Sequence, residues 1–164
     1  MQEDYEMVKK RYYLAYGSNL NVEQMQWRCP GARAVGTAEI KDYRLLFKGA
    51  KTGSHLTIES AEGESVPVGI WEVVDIHEKQ LDRYEGFPVY YYKKEIEVDM
   101  NLWRKEKPVK KKAFVYIMHE DHLMGVPSRS YIETCVKGYD DFGFDPQKLV
   151  DACVFSHEHA GKAS

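Results

Sequence analysis

Hydrophobic and polar positions alternate over several short stretches of this chain and recur at helical spacing in others, so strands and helices are both predicted. Tyr12, Leu14 and Tyr16 alternate with Tyr13 and Ala15 until Gly17, the pattern of a first strand ending in a tight turn. Asn21, with Gln24 three residues on, reads as an amide form of the capping box, and Pro30 and Gly31 close the helix it opens. Period-two patterns return over residues 42–48, 55–60 and 66–74, separated by Gly49, Gly53 and Gly63. Asp75 and Glu78 repeat the capping pattern ahead of Ile76, Leu81 and Tyr84, and Gly86 and Pro88 end that helix. Two more strands are predicted over 90–99 and 112–118, joined by a charged connector over 104–111. Ser128 precedes an amphipathic run containing Tyr131, Ile132, Cys135, Val136 and Tyr139, and Asp145 with Pro146 opens a last helix through Leu149, Ala152 and Cys153. The tail over 156–164 is expected to fray.

Short strands with glycine-bearing connections, mixed with helices, point to an α+β fold with a mixed, largely antiparallel sheet able to curl into a barrel. No linker, repeat or low-complexity tract divides the 164 residues, so one domain over 1–164 is expected, with its core over about 11–155. The charge balance, 23 Lys plus Arg against 26 Asp plus Glu, argues against a polyanion partner and so against nucleic acid. Three cysteines without paired spacing fit a reducing compartment better than a disulfide framework. Acids and bases surround a short apolar stretch near the start, which suits neither a signal peptide nor a membrane span. A soluble cytoplasmic protein with no membrane contact is therefore expected. Tyrosine outnumbers phenylalanine twelve to six, so much of the large apolar area carries a hydroxyl that needs water or a partner.

Two segments carry candidate chemistry. The loop Tyr16, Gly17, Ser18, Asn19, Leu20 lies between a strand and a capped helix, where backbone N–H groups and a helix dipole can hold an anionic group; the same residues also make an ordinary turn. Glu85 sits among aromatic and conformationally restricted residues, where burial would raise its pKa and fit it for proton transfer; a solvated carboxylate at a helix end is the alternative. Asp82 is a competing acid on the same helix. Tyr90, Tyr91 and Tyr92 alternate faces if the run is a strand. His119 with His122 and His157 with His159 lack the spacing of a zinc helix, so no metal site is expected.

Taken together, YLAYGSNLN near the start, LDRYEG over 81–86, the aromatic strand after it and PSRSY over 127–131 resemble the gamma-glutamylcyclotransferase family, over about residues 12–152. The resemblance implies a small beta-barrel with flanking helices and the release of 5-oxoproline from a small gamma-glutamyl substrate, without metal or cofactor. Some relatives suggest a homodimer. Carried over by motif, Glu85 matches the family's general acid/base; Tyr16, Gly17, Ser18, Asn19 and Leu20 match its substrate-binding loop; Tyr131 matches a tyrosine facing the ligand. Tyr91 and Tyr92 both remain open for a further tyrosine role. Other readings are a cyclotransferase for gamma-glutamylamines or acyl-protected metabolites and a non-catalytic binding protein of the same fold. Tyr13, Tyr16, Tyr84, Tyr90 to Tyr92 and Tyr131 all fall beside these segments, so an aromatic, hydroxyl-lined pocket is expected.

Overall fold

The computed structural model describes residues 9–164. Strands β1 (Arg11–Ala15), β2 (Arg33–Lys48), β3 (His55–Val73), β4 (Tyr91–Leu102) and β5 (Val109–Met118) form a closed barrel in the order β1-β3-β2-β4-β5. Helices α1 (Val22–Arg28), α2 (Asp75–Glu85), α3 (Arg129–Phe142) and α4 (Gln147–Glu158) flank it. Pairing is antiparallel except where β1 meets β5 in parallel at Tyr13 and Phe114. The expected mixed barrel with helices around it is therefore present.

The long hairpin of β2 and β3 absorbs what the alternation pattern split into shorter strands. Its register shifts between Lys41 and Tyr43, where Asp42 takes a positive φ of 64° and its side chain accepts the Gly63 N–H at 3.0 Å. That bulge bends the hairpin without ending it. The first half of β2 lies outside the predicted stretches although burial alternates over Gly36 to Lys41, because the buried positions Gly36 and Ala38 are too small to stand out as hydrophobic. At Gly36 the strand meets β4 so closely that a Cβ would lie 2.4 Å from the Asn101 carbonyl oxygen, and barrel closure on this side rests on the pairs Gly36 with Leu102 and Thr37 with Asn101.

Leu14, Phe47, Ile58, Ile70, Trp71 and Phe114 fill the interior. Burying each such side chain contributes roughly 1.5–3 kcal/mol against the entropy of ordering the chain. Trp71 also spends its polar edge usefully: its indole N–H donates to the Asn19 carbonyl at 2.9 Å, tying the core to the loop after β1.

Two sequence expectations need correction. Helix α2 is not capped by Asp75, which lies in its first turn; the N-cap is Val74, whose N–H donates to His77 Nδ1 at 3.1 Å. His77 Nε2 lies 2.8 Å from the Pro30 carbonyl. Together the contacts call for the neutral Nε2–H tautomer and pin the start of α2 to the end of α1. The segment over 156–164 is held and not frayed. Ser156 is fully buried and its hydroxyl accepts the Phe47 N–H at 2.9 Å. The Gly161 N–H donates to the Met124 carbonyl at 3.0 Å, and the Met124 N–H to the Lys162 carbonyl at 2.8 Å. Backbone pairing supplies what hydrophobicity in the tail does not.

Candidate active site

After β1 the chain turns at Gly17 into a single 3-10 turn over Ser18–Leu20, and Asn21 then caps α1 by accepting the Gln24 N–H at 3.0 Å. Gln24 does not reach back as the capping box predicted; its side-chain Oε1 accepts from Arg28 at 3.1 Å. Within the turn the N–H groups of Leu20 and Asn21 donate to Gly17 and Ser18 at 3.0 Å. Those of Gly17, Ser18 and Asn19 take no backbone acceptor among the described residues, as expected for the opening of a helical turn.

Close packing from behind fixes this loop. A Cβ on Gly138 of α3 would lie 2.6 Å from the Asn21 nitrogen, and one on Gly69 of β3 would lie 2.7 Å from Leu20 Cδ2. Glycine at 138 lets α3 approach the loop backbone so closely, and glycine at 69 leaves room on β3 for the Leu20 and Phe142 side chains. A Cβ on Gly17 would meet Leu56 Cδ1 and the Tyr131 hydroxyl, each at 3.3 Å. The Tyr131 hydroxyl accepts the Leu56 N–H at 3.0 Å.

Glu85 is the last residue of α2 and Gly86 follows in the left-handed conformation, φ 65°, which an L side chain adopts only with strain. The Phe87 N–H closes the helix end on the Asp82 carbonyl at 2.9 Å, and the chain returns to enter β4 at Tyr91. This reversal aims Glu85 at the loop after β1. The two meet across a cavity of about 150 Å³, whose lining includes Gly17, Ser18, Asn19 and Glu85. Seven of the twelve tyrosines complete it: Tyr13, Tyr16, Tyr84, Tyr90, Tyr91, Tyr116 and Tyr131.

Burial pushes the Glu85 carboxyl up to about 8 from an ordinary 4.5, with the Arg28 charge pulling it partly back; no hydrogen bond contributes. As a whole residue Glu85 is only half-buried, since it sits at a helix end, yet its carboxyl is turned into the cavity and away from solvent. Tyr13, Tyr16, Tyr91 and Tyr131 are held well above the usual phenol range, first by burial and then by neighbouring groups that include Glu85. They remain neutral hydroxyls at any physiological pH. Their orientations are fixed: Tyr16 donates to the Tyr116 carbonyl at 2.7 Å and Tyr91 to the Leu56 carbonyl at 2.8 Å.

Of the residues singled out in the sequence, Tyr16, Gly17, Ser18, Asn19, Glu85 and Tyr131 line one cavity. Leu20 does not. Its side chain is fully buried in the core and its N–H is used inside the turn, so it supports the loop from below. Tyr91 faces the cavity, whereas Tyr92 donates to Glu120 at 2.6 Å on the other face of β4, as alternation along a strand requires. Asp82 is turned away, accepting from Tyr116 at 2.6 Å and pairing with Lys93 at 2.9 Å. His55 and Tyr116 line the cavity without any local signal in the sequence. They reach it through strand pairing between distant segments.

The profile described as "Gamma-glutamyl cyclotransferase, AIG2-like" matches residues 13–133, spanning the loop, the helix end and the start of α3. The chain belongs to this family. A bovine gamma-glutamylcyclotransferase is 33% identical over 81 residues, which is 45% of this chain and 43% of the bovine protein. The chain thus matches less than half the length of that relative. A solved gamma-glutamyl cyclotransferase superposes with a TM-score of 0.76 at 22% identity, covering 88% of this chain and 86% of that one. At that identity the likeness is one of fold. An uncharacterized human protein superposes with a TM-score of 0.71 at 25% identity, over 87% and 86% of the two chains. Among the described residues no helix is long and apolar enough to cross a membrane.

Proposed function

We propose that the protein is a gamma-glutamylcyclotransferase in which Glu85 moves the protons of an intramolecular ring closure. The observation that carries this reading is a carboxyl with a pKa of about 8 facing the opening N–H groups of the Gly17–Asn19 loop across one small cavity. The substrate's α-amine attacks its own γ-carbonyl carbon, a new C–N bond closes the five-membered lactam, and the old amide C–N bond breaks. No water, electron or second substrate enters the balance.

Proton handling is where Glu85 contributes. The α-amine arrives mostly as ammonium, with a pKa of about 8. Moving its proton to a carboxylate of pKa 4.5 would cost roughly 5 kcal/mol; moving it to Glu85 is nearly isoenergetic, at about 1.4 kcal/mol per pKa step. Glu85 then carries the proton that the departing nitrogen needs, so one group serves as base and acid in turn. The loop N–H groups suit the α-carboxylate or the oxygen that becomes negative on attack. At about 150 Å³ the cavity is smaller than the roughly 300–1,000 Å³ typical of drug-sized ligands, so it takes the glutamyl end and leaves the amine portion at the mouth. Holding amine and carbonyl in the folded conformer supplies the remainder of the rate.

The test is 5-oxoproline release from a panel of gamma-glutamyl amino acids and gamma-glutamylamines, by wild type and Glu85→Gln. Wild type is expected to turn over at least one member, and the Gln variant to lose about 10²- to 10⁴-fold. A folded Gln variant with most of its activity would remove Glu85 from the mechanism. Binding without turnover across the panel would make the protein a binding module instead.

A further inference from the structure

Arg28, at the end of α1, is the best-placed cation that the proposed chemistry leaves unused. Its guanidinium lies over the Tyr84 ring, 3.4 Å from the centroid, and donates to the side chains of Asn19 and Gln24. Accepting from Arg28 with Oδ1, Asn19 is left to point its Nδ2 at the Tyr13 hydroxyl, 2.8 Å away. Tyr84 in turn brings its hydroxyl within 3.1 Å of Ser18 Oγ. One side chain therefore grips both halves of the site, the loop through Asn19 and the Glu85-bearing helix end through Tyr84.

Its charge is also placed to matter. Arg28 makes no ion pair with any described carboxylate, unlike Arg11, Arg33 and Arg129, which pair with glutamates. The other titratable groups around the Glu85 cavity are Tyr13 and Tyr16 from β1 and its end, Tyr84 beside Glu85 on α2, Tyr90 just before β4, Tyr91 and Tyr116 from β4 and β5, Tyr131 from α3 and His55 from β3. Burial raises the phenols of Tyr13, Tyr16, Tyr90, Tyr91, Tyr116 and Tyr131 and lowers the His55 imidazole, so none of these is charged around neutral pH. Farther out, Lys93 is spent on Glu78 and Asp82.

We propose that Arg28 is a positioning residue of this site, clamping the substrate loop to the end of α2 and acting as the cation that favours the ionised base. This rests on the cyclotransferase reading, with Glu85 as base. Without Arg28 the carboxyl keeps its burial and loses the one opposing charge acting on it among the described residues, so ionisation becomes harder.

The experiment compares wild type, Arg28→Met, Arg28→Lys and, as an exposed control, Arg83→Met. Where removal of the ammonium proton by Glu85 limits the rate, kcat/KM below the pKa values of Glu85 and the substrate amine follows the ionised fraction of Glu85, and well above both it does not. Arg28→Met is therefore expected to lose about tenfold more kcat/KM at pH 6 than at pH 10. Arg28→Lys, which keeps the charge without the planar fork, restores the pH ratio while KM stays raised. Arg83→Met leaves both unchanged. A carbon-13 titration of the Glu85 carboxyl in wild type and Arg28→Lys against Arg28→Met reads the same shift without turnover, upward in the Met variant alone. Equal losses at both pH values with an unmoved carboxyl titration would overturn the proposal and leave Arg28 a packing residue. If wild type releases no 5-oxoproline from any gamma-glutamyl compound, the cyclotransferase reading falls, while the carboxyl titration still decides the electrostatic role of Arg28.

Discussion

Replacing Glu85 by Gln separates the cost of burying a carboxyl from its use. In the folded protein burial raises this group from 4.5 to about 8, so the fold favours the protonated acid. The stability tied to that preference is complete below about pH 4.5 and is lost as pH rises through 8. At about 1.4 kcal/mol per pKa step, the loss between pH 5 and pH 8 comes to roughly 3 kcal/mol. Gln has nearly the same shape and cannot ionise, so its stability carries no such slope. All other titrating groups are shared and cancel in the difference between the two proteins. Urea unfolding at pH 5 and pH 8 gives that difference directly, provided the slope against denaturant is the same for both. The variant is expected to gain roughly 3 kcal/mol on wild type over this interval while losing its activity, a trade of function against stability at one residue. A difference that stays flat with pH would mean that the carboxyl is not held in its acid form and that Glu85 is not matched to the substrate amine as a base.

Two further predictions concern what holds the site in place. Gly138→Ala places a methyl 2.6 Å from the Asn21 nitrogen and 2.7 Å from the Leu20 carbonyl carbon, backbone that cannot move without shifting the loop. A loss of about 1–3 kcal/mol in urea melts, with a raised KM, is expected; wild-type stability and KM together would show that the loop is not braced by α3. Ser156→Ala strips the Phe47 N–H of its buried acceptor, so about 1–3 kcal/mol should be lost although the residue lies near the chain end. An unchanged melt would mean that the tail does not contribute to the fold.

The local elements and the two decisive segments were legible in the residues alone. Asn21 and Ser128 cap their helices as read, accepting the N–H groups of Gln24 and Tyr131. Gly17 and Gly86 mark the turns that carry the loop and Glu85: a positive φ suits glycine at 86, and a Cβ at 17 would crowd Leu56 and Tyr131. Alternation also separates Tyr91 from Tyr92, although not which of them faces inward. Packing between distant segments set the rest. Burial of Glu85, and with it a pKa near that of the substrate amine, comes from tyrosines on β1, β4, β5 and α3 that no spacing along the chain brings together. Leu20 has the same local context as Asn19, yet one is core and the other cavity wall, a division set by how α3 and β3 pack behind the turn. Asp82 and Glu85 lie one turn apart on the same helix; the ion pair with Lys93 takes the first, and the solvent-poor cavity takes the second. A sequence lists the groups able to move a proton, and only the packed interior sets which of them is kept from water long enough to do so.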